Sequence, residues 1–222
     1  EEMKAKWAEV KGTGTYEEWV KKYLTDKGYT LTDEYSWPYT SDPVVWDALN
    51  SYRAADAEAI VNTYDGLLEY DIENVQQPAL ATGYTVSDDG LTYTFKLREG
   101  VNWVDNQGNV IEKLTADSFV AGMQHMLDAK GGLEYLVDGK IKNASQYMAG
   151  EITDFAEVGV KAVDEYTLEY TLEAPCTYFT TMLGYGVFAP MSRAYFTANG
   201  GAFGVEEYAA ASATDAYTYG TA

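Results

Sequence analysis

Between Leu91 and Arg98 the chain alternates strictly. Leu91, Tyr93, Phe95 and Leu97 are apolar, and Thr92, Thr94, Lys96 and Arg98 are polar. A period of two predicts a half-buried β-strand, with Tyr93, Phe95 and Leu97 inward and Lys96 outward. Glu99-Gly100 ends the run. A second short run, Val101 to Val104, leads into the turn Asp105-Asn106-Gln107-Gly108-Asn109. Thr115 then has the place and chemistry of a helix N-cap, with Asp117 in the first turn, where the helix dipole favours an acid. Phe119, Val120, Met123 and Leu127 follow at helical spacing. The pattern therefore predicts a helix over 115–129, stopped by Gly131-Gly132.

The same reading extends along the chain. Thr15 and Glu18 form a capping-box pair at the start of a helix. Trp19, Val20, Tyr23 and Leu24 are its apolar stripe, and Gly28 is its stop. Residues 30–43 are aromatic, extended and interrupted by Pro38 and Pro43. A longer helix is expected from about Ser51, carrying Ile60, Val61, Tyr64 and Leu68. Residues 78–85 read as a connector, 84–104 as β, and 133–156 as short helices with loops. In 158–172, Leu168, Tyr170 and Leu172 alternate, which predicts a hairpin turning at Asp164-Glu165. A mixture of helix and strand is expected over 178–198, and a poorly packed tail from Ala209 to Ala222. The order of elements is α+β.

The strand, turn, strand and capped helix carry a recognisable set of residues: Tyr93 to Arg98, Gly100, Val101, Trp103, Asp105, Thr115, Ala116, Asp117 and Phe119. Together they resemble the signature region of solute-binding protein family 5, the oligopeptide, dipeptide and nickel receptors of bacterial ABC importers. The turn before Thr115 is longer than the family pattern, and Ser118 stands where the pattern has a second acid. Asn62 to Asp71 resembles the family's "YEGLLEYD" segment, Asp42-Pro43 its "LDP" segment, Val158 to Leu168 its "GVKAVDDYTL" hairpin, and Pro175 to Phe179 with Met182 to Pro190 its "PYF…F-x-P" run. The fragments occur in the family's order over roughly 41–196. The helix at 15–27 has no counterpart in that pattern.

The resemblance implies a periplasmic-binding-protein-like type II receptor whose two lobes close around a ligand. It implies a start of lobe I at 1–56, a small accessory α+β domain at 57–157 and a return to lobe I at 158–222. Members of the family are more than twice this long, so the chain reads as an N-terminal fragment of a receptor. By position, Tyr52, Arg53 and Ala54 match the family's cleft, as do Tyr185 and Gly186. The implied function is capture of a peptide outside the membrane and delivery to ABC permease subunits, by a monomer without a cofactor or catalytic activity. The implied place is the periplasm or the outer face of the cell membrane, with any export signal or lipidated cysteine upstream. A non-peptide solute, an oligosaccharide or nickel chelate, is an alternative within the same fold. An extracellular hydrolytic module is an alternative outside it.

Charge narrows the partners. The formal net charge is −20 and the pI is near 4.2. Phosphate backbones and anionic lipid need clustered Lys and Arg, so neither a nucleic-acid partner nor electrostatic attachment to lipid is expected. The acidity reads as a solvated surface. Cys176 is the single cysteine, so no disulfide or cysteine metal site is possible within the chain, and a buried structural thiol is expected. No apolar run reaches transmembrane length.

Candidate catalytic chemistry mostly fails on partners and spacing. His125 is the single histidine, so a two-histidine zinc motif cannot form, and a surface or half-buried helix position is expected. Gly12-Thr13-Gly14 lacks the third glycine of a dinucleotide fingerprint. The Asp105 turn has the wrong glycine and glutamate spacing for a calcium loop and reads as a hairpin turn. The 20 tyrosines suit either a core or a cleft for varied ligands. Arginine is scarce: Arg53, Arg98 and Arg193. Arg98 is expected to pin a turn, whereas Arg53 is the better candidate for a ligand carboxylate.

Overall fold

The computed structural model describes residues 2–34, 36, 38, 41–71 and 73–220. Tyr35, Trp37 and Tyr39 of the expected aromatic extended stretch, and Thr221 and Ala222 of the expected tail, lie outside the described residues. Contacts divide the chain between Thr40 and Ser41.

The first unit carries α1 (Glu2–Val10) and α2 (Tyr16–Asp26). Thr15 and Glu18 form the expected reciprocal cap at α2, and Gly28, with φ +84°, follows its end. A ring cluster joins the helices: Trp7 is buried, with centroids 5.3 Å from Tyr16 and 5.6 Å from Trp19, and Trp19 stacks on Tyr23 at 5.0 Å.

The second unit begins with α3 (Ala54–Ile60), then β1 (Leu68–Tyr70) paired antiparallel with β2 (Gln76–Pro78). Helix α3 is shorter than expected. The Asn62 amide bonds the Glu58 carbonyl, and the Thr63 hydroxyl bonds that of Ile60 at 2.6 Å. These side chains compete for the carbonyls of the last turn, so Tyr64 and Leu68 fall outside the helix. The connector expected at 78–85 is instead mostly β3 (Ala81–Val86), a strand edged by β4 (Thr92–Leu97).

Strand β4 has the predicted faces. Tyr93, Phe95 and Leu97 are buried and Lys96 is exposed. It pairs antiparallel with β3, and with β8 (Thr167–Thr171), placing Phe95 opposite Leu168 and Tyr93 opposite Tyr170. β5 (Asn102–Val104) and β6 (Val110–Lys113) form a separate hairpin closed by the Asp105 turn, where one carboxylate oxygen accepts from the amides of Gln107 and Asn109. β7 (Val160–Asp164) completes the sheet in the order β3-β4-β8-β7. Residue 157 thus lies between strands of one sheet.

Helix α4 (Ala116–Ala129) packs on β7 and β8 and is buried on nearly every side. Ser118, the departure from the family pattern, accepts a hydrogen bond from the Thr115 amide at 3.2 Å and one from the indole of Trp103 at 3.4 Å. A neutral hydroxyl does here what an acid does in a capping box, and it costs less to bury. Asp117 instead takes a two-pronged bond from Arg193, at 2.8 and 3.0 Å.

α5 (Ala144–Met148) precedes the β7–β8 hairpin. Beyond it lie α6 (Phe179–Met182), a 3-10 turn at Gly186–Phe188, α7 (Arg193–Ala198) and α8 (Val205–Ser212). The strand expected within 178–198 is absent from the described residues. Phe179 and Phe188 bury their rings under the sheet against Tyr170, at 5.6 and 6.0 Å. The tail is better packed than its composition suggests. Tyr208 is buried, and Tyr217 and Tyr219 lie against the core. Cys176 is half-buried rather than buried, on an otherwise exposed turn. Among the described residues no helix is long and apolar enough to cross a membrane.

Candidate functional site

Helix α4 is the scaffold of the site, through its small residues. At Gly122 a Cβ would overlap the Ala189 carbonyl, and at Gly131 it would overlap Asn50. Gly122 lets the segment 186–190 lie directly on the helix, and Gly131 lets 47–51 lie on the turn just past its end. The turn at 47–51 is wound by backbone bonds from Asn50 and Ser51 to the Asp47 carbonyl, both 3.1 Å. It is then tied to buried Asp56, whose carboxylate accepts from the Ser51 hydroxyl at 2.6 Å and from the Val44 amide at 2.8 Å. The Ser51 hydroxyl and these amide bonds hold the Asp56 carboxyl below the usual range, with burial opposing them. The Ser51 oxygen also accepts from the Arg53 amide. This chain of bonds fixes where Tyr52 and Arg53 start.

Between the two segments lies a cavity of about 330 Å³. Tyr52, Arg53, Ala54, Tyr185 and Gly186 all line it, with Ile60, Tyr64 and Val187. All the residues singled out from the sequence as cleft positions are therefore brought to one concavity. Tyr52 is 75% exposed and Tyr185 58% exposed, so their rings stand at its open side. Arg53 is half-buried. Among the described residues its guanidinium has no hydrogen bond and no ion pair within 4.0 Å, although the Asp56 carboxylate feels its charge. Arg98, by contrast, lies at the end of β4, where its amide bonds the Leu80 carbonyl. Rings at the rim, an apolar wall and one cation make a site suited to a small amphipathic anion or a peptide end.

A model of the middle region of the bacterial extracellular solute-binding proteins, family 5, matches residues 75–220. The chain belongs to that family. This family 5 chain is 40% identical over 169 residues to the oligopeptide-binding protein AmiA of Streptococcus pneumoniae, covering 76% of this chain and 26% of AmiA. It is 38% identical over 154 residues to the probable deoxycholate-binding periplasmic protein YgiS of Escherichia coli, covering 68% and 28%. Among solved structures, the substrate-binding domain of an oligopeptide ABC transporter from Bacillus anthracis superposes with TM-score 0.62 at 34% identity, over 72% of this chain and 30% of that one. The fold is therefore the type II binding-protein fold, in part. The family 5 chain spans about a quarter of the length of the curated relatives it matches.

Sequence reasoning missed two members of this region. A surface or half-buried position is expected for His125, but it is fully buried. Its Nε2 lies 2.6 Å from an Asp47 carboxylate oxygen, and rings of Phe196, Tyr208 and Tyr219 surround it at 4.6, 5.4 and 5.6 Å. The other Asp47 oxygen accepts from the Leu49 amide. His125 thus anchors the turn that presents Tyr52 and Arg53. A readable signal existed: Ser118, Gly122, His125 and Asp128 form a small and polar stripe at helical spacing, the mark of a helix buried on a second face. The second miss is Tyr64, assigned to a helix stripe but found in the cavity wall. Its phenol is pushed above the usual range by burial.

Proposed function

We propose that this chain is part of the solute receptor of a bacterial ABC importer and contributes one wall of its peptide site. The observation that carries the reading is the convergence of Tyr52, Arg53, Ala54, Tyr185 and Gly186 on one cavity where, among the described residues, the Arg53 guanidinium has no hydrogen bond and no ion pair within 4.0 Å. The role of Arg53 is to hold a ligand carboxylate. The tyrosines give apolar contact without a fixed side-chain shape, which suits varied sequences. The protein acts outside the cytoplasmic membrane, as a monomer that hands its solute to permease subunits, with a lipid anchor upstream where the organism uses one. It binds without catalysing. In the longer receptor, the accessory domain begins near residue 57 and carries through its sheet to β8, and 1–56 and the segments after β8 belong to the first ligand-binding lobe.

Calorimetry with a mixed peptide library tests this on the longer receptor and on the 222-residue chain. The receptor should bind, and the chain alone should bind weakly or not at all, because a cleft ligand draws affinity from both walls. Arg53→Ala in the receptor should cost about 2–5 kcal/mol for ligands with a free carboxylate. Micromolar binding by the chain alone contradicts the two-lobe account, and unchanged receptor affinity removes Arg53 from the site. The likeness to a probable deoxycholate-binding protein supports a second reading, a non-peptide amphipathic anion. A bile acid included in the same titrations separates the two.

A further inference from the structure

Tyr64 stands at a junction. It lines the 330 Å³ cavity with Arg53, and also two smaller cavities behind it, of about 120 and 190 Å³, whose walls include Trp46, Trp103 and Pro190. Its hydroxyl has no hydrogen-bond partner among the described residues, and burial alone perturbs it. The oxygen is not sealed from solvent, so it reaches the open cavity and is free to bond whatever enters there. Gly186 faces it: a Cβ there would lie 3.2 Å from the Tyr64 hydroxyl and 3.2 Å from the Ala48 carbonyl. The missing side chain leaves the hydroxyl open toward the cavity. The same cavity holds Arg53, whose guanidinium also has no hydrogen-bond acceptor among the described residues.

We infer that Tyr64 is a ligand-binding residue, whose hydroxyl donates a hydrogen bond to the carboxylate that Arg53 neutralises, and that Gly186 keeps that bond accessible. The inference rests on the peptide-receptor reading and sharpens it, because it names a free carboxylate as the recognised group. A guanidinium and a phenol from two segments supply donors in different directions, which a carboxylate with two oxygens can accept together. An amidated end cannot accept them in the same way and carries no charge for Arg53.

The test uses the longer receptor, a mixed tri- to pentapeptide library with free C-termini, and the same library C-terminally amidated. Tyr64→Phe removes only the oxygen. It should weaken binding of the free-acid library roughly 10-fold, as expected for a hydrogen bond to a charged group, and should leave the amidated library unchanged. Its melting temperature should equal that of the wild type, because no protein bond is lost. Gly186→Ala should weaken the free-acid library in the same selective way. A wild type that binds the free-acid library while Tyr64→Phe binds it equally overturns the role of Tyr64 and leaves the peptide reading standing. So does a Tyr64→Phe variant that loses thermal stability, since the hydroxyl would then serve the fold. A wild type that binds neither library overturns the peptide reading and this inference with it.

Discussion

Replacing Gly122 by alanine sets two effects of opposite sign against each other. Gly122 is buried in the middle of α4, and alanine there should favour the helix by about 1 kcal/mol through backbone entropy. The added methyl, however, would sit 2.3 Å from the Ala189 carbonyl oxygen and 3.4 Å from its carbon. A comfortable carbon–oxygen approach is about 3.3 Å, so helix and segment must part by roughly 1 Å. Neither side yields easily. Ala189, Pro190 and Met191 are buried, and the Met191 amide bonds the Ser118 carbonyl of α4 at 3.0 Å. Overpacking of this kind costs about 1–3 kcal/mol, and a stretched hydrogen bond about 1 more. The clash wins, with a net loss of about 2 kcal/mol. In a domain of this size that is a fall of roughly 4–8 °C in melting temperature. Gly83→Ala is the control: its Cβ would meet nothing within 4 Å, so it should be neutral or slightly stabilising. Urea melts and thermal scans on both variants decide the matter. A Gly122→Ala protein as stable as wild type, or more so, would show that helix propensity governs this position and that the 186–190 segment is not held against α4.

Three further outcomes follow from the same packing. Phe119, 1% exposed, should lose about 3–5 kcal/mol on truncation to alanine in denaturant melts, and a loss below about 1 kcal/mol would take it out of the core. Ser118→Ala removes the acceptor of the Thr115 amide and the Trp103 indole and should cost about 1–2 kcal/mol, with a change in tryptophan emission as the local readout. Acid titration of stability should split two buried carboxylates. The Asp56 carboxyl is lowered by its hydrogen bonds, so its contribution is present above the unfolded pKa and lost as pH falls through the folded one. Burial raises Asp128, so its contribution is present below the unfolded pKa and lost as pH rises through the folded one. Asp56→Asn should flatten the acid limb of the stability curve, and Asp128→Asn should flatten the decline above it; the same change in both variants would contradict the assignment.

The sheet and its covering helix were legible because each is specified by local patterning. The alternation in β4 survives into the fold because one face of the strand meets the core through Tyr93, Phe95 and Leu97, and a slip of one residue would bury Lys96. The hairpin at 164–165 and the cap at Thr15 are likewise set by residues a few positions apart. The residues that line one cavity were selected in a different way. Tyr52, Arg53, Ala54, Tyr185 and Gly186 were found by position relative to family segments, and no property of their chemistry alone would have selected them. Helix α3 was misread because the apolar spacing continues past Ile60, while the decision to stop rests on Asn62 and Thr63 bonding backwards to its last carbonyls. The run 178–198 misled for a related reason: its apolar residues are dense enough for a strand, but its carbonyls accept from amides three residues on, as Tyr178 does from Thr181, Tyr185 from Phe188 and Gly186 from Ala189, rather than from a neighbouring strand.

His125 and the C-terminal tyrosines show why composition fails where contacts are distant in sequence. Taken alone, a stretch rich in alanine, threonine and tyrosine has little reason to order, since each tyrosine brings a polar end that must be satisfied when buried. What orders it is a ring site prepared elsewhere. The imidazole on α4 presents its edge and faces to Phe196, Tyr208 and Tyr219, which arrive from α7, α8 and the tail, while its Nε2 is spent on Asp47. The tail is pinned once more where the Trp46 amide bonds the Gly220 carbonyl at 2.9 Å. His125 therefore joins the turn that carries Tyr52 and Arg53 to the closing segment. His125→Phe should separate its two duties. Ring packing would be retained, but one Asp47 oxygen would lose its imidazole partner while the carboxylate stays buried, with the Leu49 amide still on the other oxygen. A loss of about 1.5–3 kcal/mol is expected, as for removing one hydrogen bond to a buried charged group. His125→Gln, which keeps a donor, should recover part of that loss in the same urea melts. If phenylalanine proves as stable as histidine, the bond to Asp47 is incidental, and the turn is held by its backbone bonds, by Ser51 on Asp56 and by Asn50 against Gly131.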